Sequence, residues 1–140
     1  MQNRDLPYDC PVDATLALIG GKYKALILWH LIDRTLRFGE LRRLIPQATP
    51  KMLTQQLREL EQHRLIDRTV YPVVPPKVEY TLTEFGKSIR PILFVMYDWG
   101  ADYIHQQGRE VNCSMGNPHL EADAPCVGCH AGKAAAEKQA

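Results

Sequence analysis

The sequence predicts a mainly α, α+β fold, a run of short helices with one two-stranded β-hairpin. Three observations predict it. Apolar residues recur at helical spacing in five segments between Cys10 and Gly108. Two β-branched runs, Leu65 to Tyr71 and Val78 to Leu82, flank the stiff sequence Pro72-Val73-Val74-Pro75-Pro76-Lys77. Positive charge gathers in the middle of the chain: residues 34–77 hold nine basic and four acidic side chains, against three and four in residues 1–33 and five and eight in residues 78–140. A local basic surface suits a polyanion, although a solvated helical face has the same composition.

The 140 residues, 45% of them hydrophobic, suffice for one domain with a hydrophobic core. We expect that domain over residues 1–108, with a flexible, cysteine-containing tail over 109–140. No apolar run approaches the roughly 18 residues that cross a bilayer. The polar start Met1-Gln2-Asn3-Arg4-Asp5-Leu6-Pro7 has no signal-peptide core, so a cytoplasmic location, reduced cysteines and no membrane partner are expected.

The first helix covers Thr15 to Ile19 behind Cys10-Pro11-Val12-Asp13, and Gly20-Gly21 stops it. The second, about Lys22–Asp33, is apolar almost all round and should be deeply buried. Leu36-Arg37-Phe38 is a short extended piece. Gly39 to Ile45 forms the third helix, ended by Pro46. Thr49-Pro50 starts the fourth, which runs to about His63, because Thr49 can cap free amides and Pro50 loses no hydrogen bond at the first position. Thr83-Glu84 starts the fifth, longer helix, which Pro91 either kinks or restarts.

This order is that of a winged helix-turn-helix with a two-stranded wing. In the fourth helix Leu53, Leu57 and Leu60 form the inward stripe. Lys51, Gln55, Arg58 and Gln62 lie opposite, and Thr54 sits between the faces. Long donors and a small hydroxyl are the residue types that reach base edges or phosphates in a major groove. Any amphipathic helix has a polar outer face; the short helix before this one and the hairpin after it make the DNA reading specific. Arg37, Arg42 and Arg43 around the turn and Arg68 and Lys77 on the wing are candidate phosphate contacts. The partner implied is double-stranded DNA; a winged helix that binds protein instead is the alternative.

At these residues the chain resembles the HxlR-type (DUF24) winged-helix regulators, relatives of MarR. The resemblance rests on Cys10-Pro11-Val12, Gly20-Gly21-Lys22-Tyr23, Arg37-Phe38-Gly39-Glu40-Leu41-Arg42-Arg43, the run Lys51 to Glu61, and Tyr71-Pro72 with Pro75-Pro76 before Val78-Glu79-Tyr80-Thr81-Leu82-Thr83. It covers about residues 8–105, with Tyr23 where the family typically has Trp. It implies a transcription regulator, mostly a repressor, that acts as a homodimer on an inverted-repeat operator, with N- and C-terminal dimerisation helices. The residues make their own case for a dimer: Ile92, Val95, Met96, Trp99 and Tyr103 form an aromatic-apolar stripe. The same stripe could instead pack on the first two helices. Dimer symmetry sets half-sites roughly one helical turn apart.

Cys10 lies at the start of the first helix, where amides favour a thiolate, while Asp9 and Asp13 oppose ionisation. The resemblance implies a redox-sensing role, since several family members sense electrophiles, quinones or oxidants through the matching cysteine. The alternatives are a small structural residue at Cys10, or a regulator governed by a small-molecule effector or by zinc in the tail. Cys113, Cys126, Cys129 and His130, with His119 nearby, supply soft ligands for zinc, a redox-active dithiol, or nothing. The Cys126-Val127-Gly128-Cys129-His130 string has the form of a c-type haem attachment, which requires export. No cofactor is otherwise implied. No phosphate loop, Gly-x-Ser-x-Gly, His-Glu-x-x-His or recognisable carboxylate pair is present, so an enzyme is not expected.

Overall fold

In the computed structural model, which describes residues 10–111, α1 (Pro11–Ile19) starts on a proline that forfeits no helical hydrogen bond and stops at Gly20. The turn leads into α2 (Lys24–His30), shorter than the span hydropathy suggests. Tyr23 is not yet helical, with φ −123° and ψ −2°, and beyond the helix Asp33 takes a left-handed φ of 54°. Ile27, Leu28 and Leu31 are at most 1% exposed, so α2 is the buried helix its composition predicts.

Strand β1 (Leu36–Arg37) runs into α3 (Phe38–Leu44), and a turn at Ile45–Thr49 leads to α4 (Pro50–Gln62). Thr49 caps α4 as expected: its Oγ1 accepts from the Met52 N–H at 3.2 Å. The inward Leu53, Leu57 and Leu60 are buried, each burial being worth roughly 1.5–3 kcal/mol. Tyr23, the aromatic that stands where the family typically has Trp, donates its hydroxyl to the Gln47 carbonyl at 3.0 Å, tying the start of α2 to the turn before α4.

The far end of α4 closes without glycine. Arg64 adopts φ 59°; its N–H bonds to the Glu61 carbonyl at 3.0 Å and the Leu65 N–H bonds to that of Leu60 at 3.0 Å, the paired bonds of a Schellman ending. Leu65 therefore belongs to the cap, and β2 spans Ile66–Tyr71. It pairs antiparallel with β3 (Lys77–Leu82) from Ile66↔Leu82 to Tyr71↔Lys77. The two-stranded wing gains a short third member: β1 pairs with β3 through Leu36↔Tyr80 and Arg37↔Glu79, giving the order β1-β3-β2. Thr83 joins wing and helix, donating its hydroxyl to the Arg64 carbonyl at 2.5 Å and accepting from the Gly86 N–H at 2.9 Å, which starts α5 (Glu84–Lys87). Gly86 is required for space, since a Cβ there would run into the Leu65 carbonyl.

The described residues fall into two compact units that divide between Lys87 and Ser88. In the second, α6 (Arg90–Gln106) carries Pro91 in its first turn. The expected long fifth helix is thus two helices, and Pro91 marks a restart rather than a kink. Ile92, Val95, Met96, Trp99 and Tyr103 are 42–73% exposed along α6, and the Trp99 and Tyr103 rings stack with centroids 6.3 Å apart. No helix among the described residues is long and apolar enough to cross a membrane.

Candidate nucleic-acid interface

The outer face of α4 is built by the residues that leave its leucine stripe. Lys51, Gln55 and Arg58 are exposed and Thr54 is half-buried. Together with Pro50 and Phe38 they line an open hollow of about 510 Å³. Thr54 donates its hydroxyl to the Pro50 carbonyl at 2.8 Å, which leaves the hydroxyl oxygen able to accept. Gln55 donates from Nε2 to Glu59 Oε1 at 3.3 Å. Pro50 has no N–H and Met52 is capped by Thr49, so of the first-turn amides that of Lys51 is left for an anion.

Among the described residues, Lys51, Arg58, Arg42, Arg43 and Arg68 make no ion pair. Arg42 and Arg43 are exposed in the last turn of α3, and Arg68 is exposed on β2 opposite Tyr80. Lys77 differs: its Nζ lies 2.8 Å from Glu79 Oε1 and 5.0 Å from the centre of the Tyr71 ring. Glu79 also faces Arg37 across β1 and β3. Its carboxyl is held below the ordinary range, first by Lys77, then by a Tyr71 hydrogen bond and the charge of Arg37. Arg37 and Lys77 therefore gather around an internal carboxylate, and neither lines the hollow on α4.

Three contributors escape sequence reasoning. Phe38 is the first residue of α3, not the end of an extended piece, and forms one wall of the hollow. Glu79 meets Lys77 two residues away on the same strand, and meets Arg37 only once β1 pairs with β3. Lys24, 6% exposed inside the buried helix α2, places its Nζ 2.5 Å from Glu59 Oε2 on α4. The lysine is the first cause of a lowered Glu59 carboxyl, with Gln55 and His63 adding to it. The available signal was a lone charge within an otherwise apolar helix. Gly21 makes the approach fit, since a Cβ there would meet Gln56 Oε1 and the Lys24 stem.

Cys10 is exposed at the N-cap of α1. Its side chain makes no capping hydrogen bond of good geometry, yet the amides of Asp13 and then Val12 hold the thiol below its ordinary range. Cys113, Cys126, Cys129, His130 and His119 lie outside the described residues, as does Asp9. Among the described residues no group of three metal-ligating side chains assembles.

Comparison with known proteins fits this geometry. The family model for the HxlR-like helix-turn-helix matches residues 18–108. The chain is 52% identical over 111 residues to YdeP of Bacillus subtilis (strain 168), an uncharacterised HTH-type transcriptional regulator, covering 74% of this chain and 87% of that one. Among solved structures it is similar to the redox regulator HypR in its oxidised form, at 50% identity and a TM-score of 0.64, over 73% of this chain and all of the other. It is also similar to the reduced form of the transcriptional regulator YodB from B. subtilis, at 36% identity and a TM-score of 0.59, over 69% of this chain and 95% of that one. With its helix, turn, capped recognition helix and wing in this order, the chain belongs to the HxlR-like helix-turn-helix family of transcriptional regulators.

Proposed function

We propose that this regulator is a repressor that binds duplex DNA as a homodimer on an inverted repeat. Lys51, Thr54, Gln55 and Arg58 on α4 enter the major groove. Arg37, Arg42, Arg43, Arg68 and Lys77 hold phosphates on either side. The observation that carries this reading is the outer face of α4, where exposed, unpaired cations and an amide surround one hollow at a helix start. The exposed stripe Ile92, Val95, Met96, Trp99 and Tyr103 supports the dimer, because a second copy would cover apolar side chains that otherwise face water. Hydroxyl-radical footprinting on the chain's own promoter region tests the reading. Two protected half-sites about one helical turn apart are expected. A single protected patch, or none, contradicts the dimeric arrangement. Trp99→Asp should shift sedimentation towards the monomer; an unchanged dimer would assign the contact elsewhere.

A second reading concerns the signal. Cys10 is exposed and its thiol is lowered by helix amides, which favours the reactive thiolate. One solved relative is a redox regulator in its oxidised form. Modification of Cys10 would tilt α1, alter the spacing of paired α4 helices and release DNA. Cys10→Ser should bind DNA normally and no longer respond to diamide or a quinone. A full response in that variant removes Cys10 as the sensor.

A further inference from the structure

Glu59 serves two partners at once. Its Oε2 receives the Lys24 ammonium at 2.5 Å, and its Oε1 accepts from Gln55 Nε2 at 3.3 Å. Lys24 is 6% exposed, and a buried ammonium without its carboxylate is costly, so the lysine fixes where the carboxylate points. A carboxylate offers lone pairs only. A glutamine amide with no neighbour exchanges its oxygen and nitrogen ends by a half-turn, but beside Glu59 only the NH2 end can face the carboxylate. One Gln55 N–H is spent on Glu59, which leaves the second N–H and the carbonyl Oε1 for a ligand in the hollow that Gln55 lines with Lys51 and Arg58. A donor beside an acceptor is the complement of adenine N7 and N6–H2 in the major groove.

We infer that Glu59, oriented by the buried Lys24, is a positioning residue that holds the Gln55 amide ready to read adenine, so that a side chain with no DNA contact sets the preference at one base pair of each half-site. The inference rests on the proposed entry of α4 into the major groove. Its physical basis is preorganisation: the amide is ordered by the fold before DNA arrives, which reduces the ordering cost at binding. Lys24 and Glu59 are separated in sequence but joined across α2 and α4, so the reading surface is set from inside the domain.

The test is selection from a random duplex pool by the full chain, followed by titration of the selected duplex and its single base-pair variants. The wild type should prefer A·T at one position of each half-site by ~10-fold. Gln55→Ala should erase that preference. Glu59→Gln, whose own amide can offer either end to Gln55, should cut it to about 2-fold or less, with a smaller change in binding to unrelated duplex. Misfolding would instead lower binding to every duplex. Should Glu59→Gln lose its helical circular dichroism, the double variant Lys24→Met/Glu59→Leu removes both charges into packed apolar groups, and the same loss of preference is expected. Preference erased by Gln55→Ala but intact in the Glu59 variants overturns the positioning role alone. A Gln55-dependent preference for another base overturns the adenine assignment. Preference that survives Gln55→Ala overturns Gln55 as the reader of that base pair, whereas a wild type that selects no sequence at all overturns the placement of α4 in the groove.

Discussion

On α4, Lys51 and Arg58 stand exposed with no carboxylate partner among the described residues, over a helix capped at both ends and pinned from below by three leucines and Lys24. On the wing, Lys77 is held by Glu79 and lies over Tyr71, while Val73 and Val74 at the tip are exposed. The two regions differ in how far their cations are answered: Lys51 and Arg58 have no ion-pair partner among the described residues, whereas on the wing Lys77 has one and Arg68 has none. The helix has its positive charge available and its geometry fixed. The wing has part of its positive charge already answered by a carboxylate of its own. Contact with a polyanion releases counterions only where a cation is free to pair with phosphate, so α4 should supply most of the affinity and the wing should trim it.

Lys51→Ala/Arg58→Ala should weaken binding to the selected duplex by ~100-fold, whereas Lys77→Ala should cost less than about 3-fold, both read by fluorescence anisotropy. Equal losses would break the contrast. Glu79→Gln sharpens it from the other side: with Lys77 and Arg37 released, binding should tighten by about 3-fold and the salt slope should steepen by about 1. Weaker binding in that variant would mean that Glu79 organises the wing rather than competing with phosphate.

Acid provides a finer comparison. Both Glu59 and Glu79 have folded values below the usual carboxyl value of about 4.3, so their stabilising contributions are complete above that pH and are lost as pH falls through the lower folded values. Lys24 is buried, whereas Lys77 is about one-third exposed. The Glu59→Gln variant should therefore lose more of the acid dependence of unfolding than Glu79→Gln, as measured by urea titration at stepped pH. The reverse order would place the stronger pair on the wing. The smallest effect lies at the helix end: Arg64→Gly relieves a left-handed φ of 59° and should stabilise the chain by about 0.5–1 kcal/mol, leaving the wing register unchanged.

The α4 face could be read from sequence because its determinants are local. Thr49-Pro50 announces the start, the leucines fix the inner side, and Lys51, Gln55 and Arg58 follow by rotation about the axis. The hairpin was equally visible in its β-branched runs. What stayed hidden depends on partners distant in the chain. Leu36 and Arg37 become a strand only through Tyr80 and Glu79, and Lys24 finds its purpose only against Glu59. The αL ending at Arg64 escaped because the expected glycine is absent and the paired carbonyl bonds replace its conformational ease. At Pro91 the residue type allowed a kink or a restart, and the gap between α5 and α6 decides it.

The most direct test of the account is the salt dependence of duplex binding by the full chain beside Lys51→Ala/Arg58→Ala. The wild type should lose affinity steeply as salt rises, and the double variant should bind ~100-fold more weakly than the wild type at matched salt. Wild-type affinity that is indifferent to salt, or a double variant that binds as tightly as the wild type, would contradict the assignment of α4 as the DNA-reading surface.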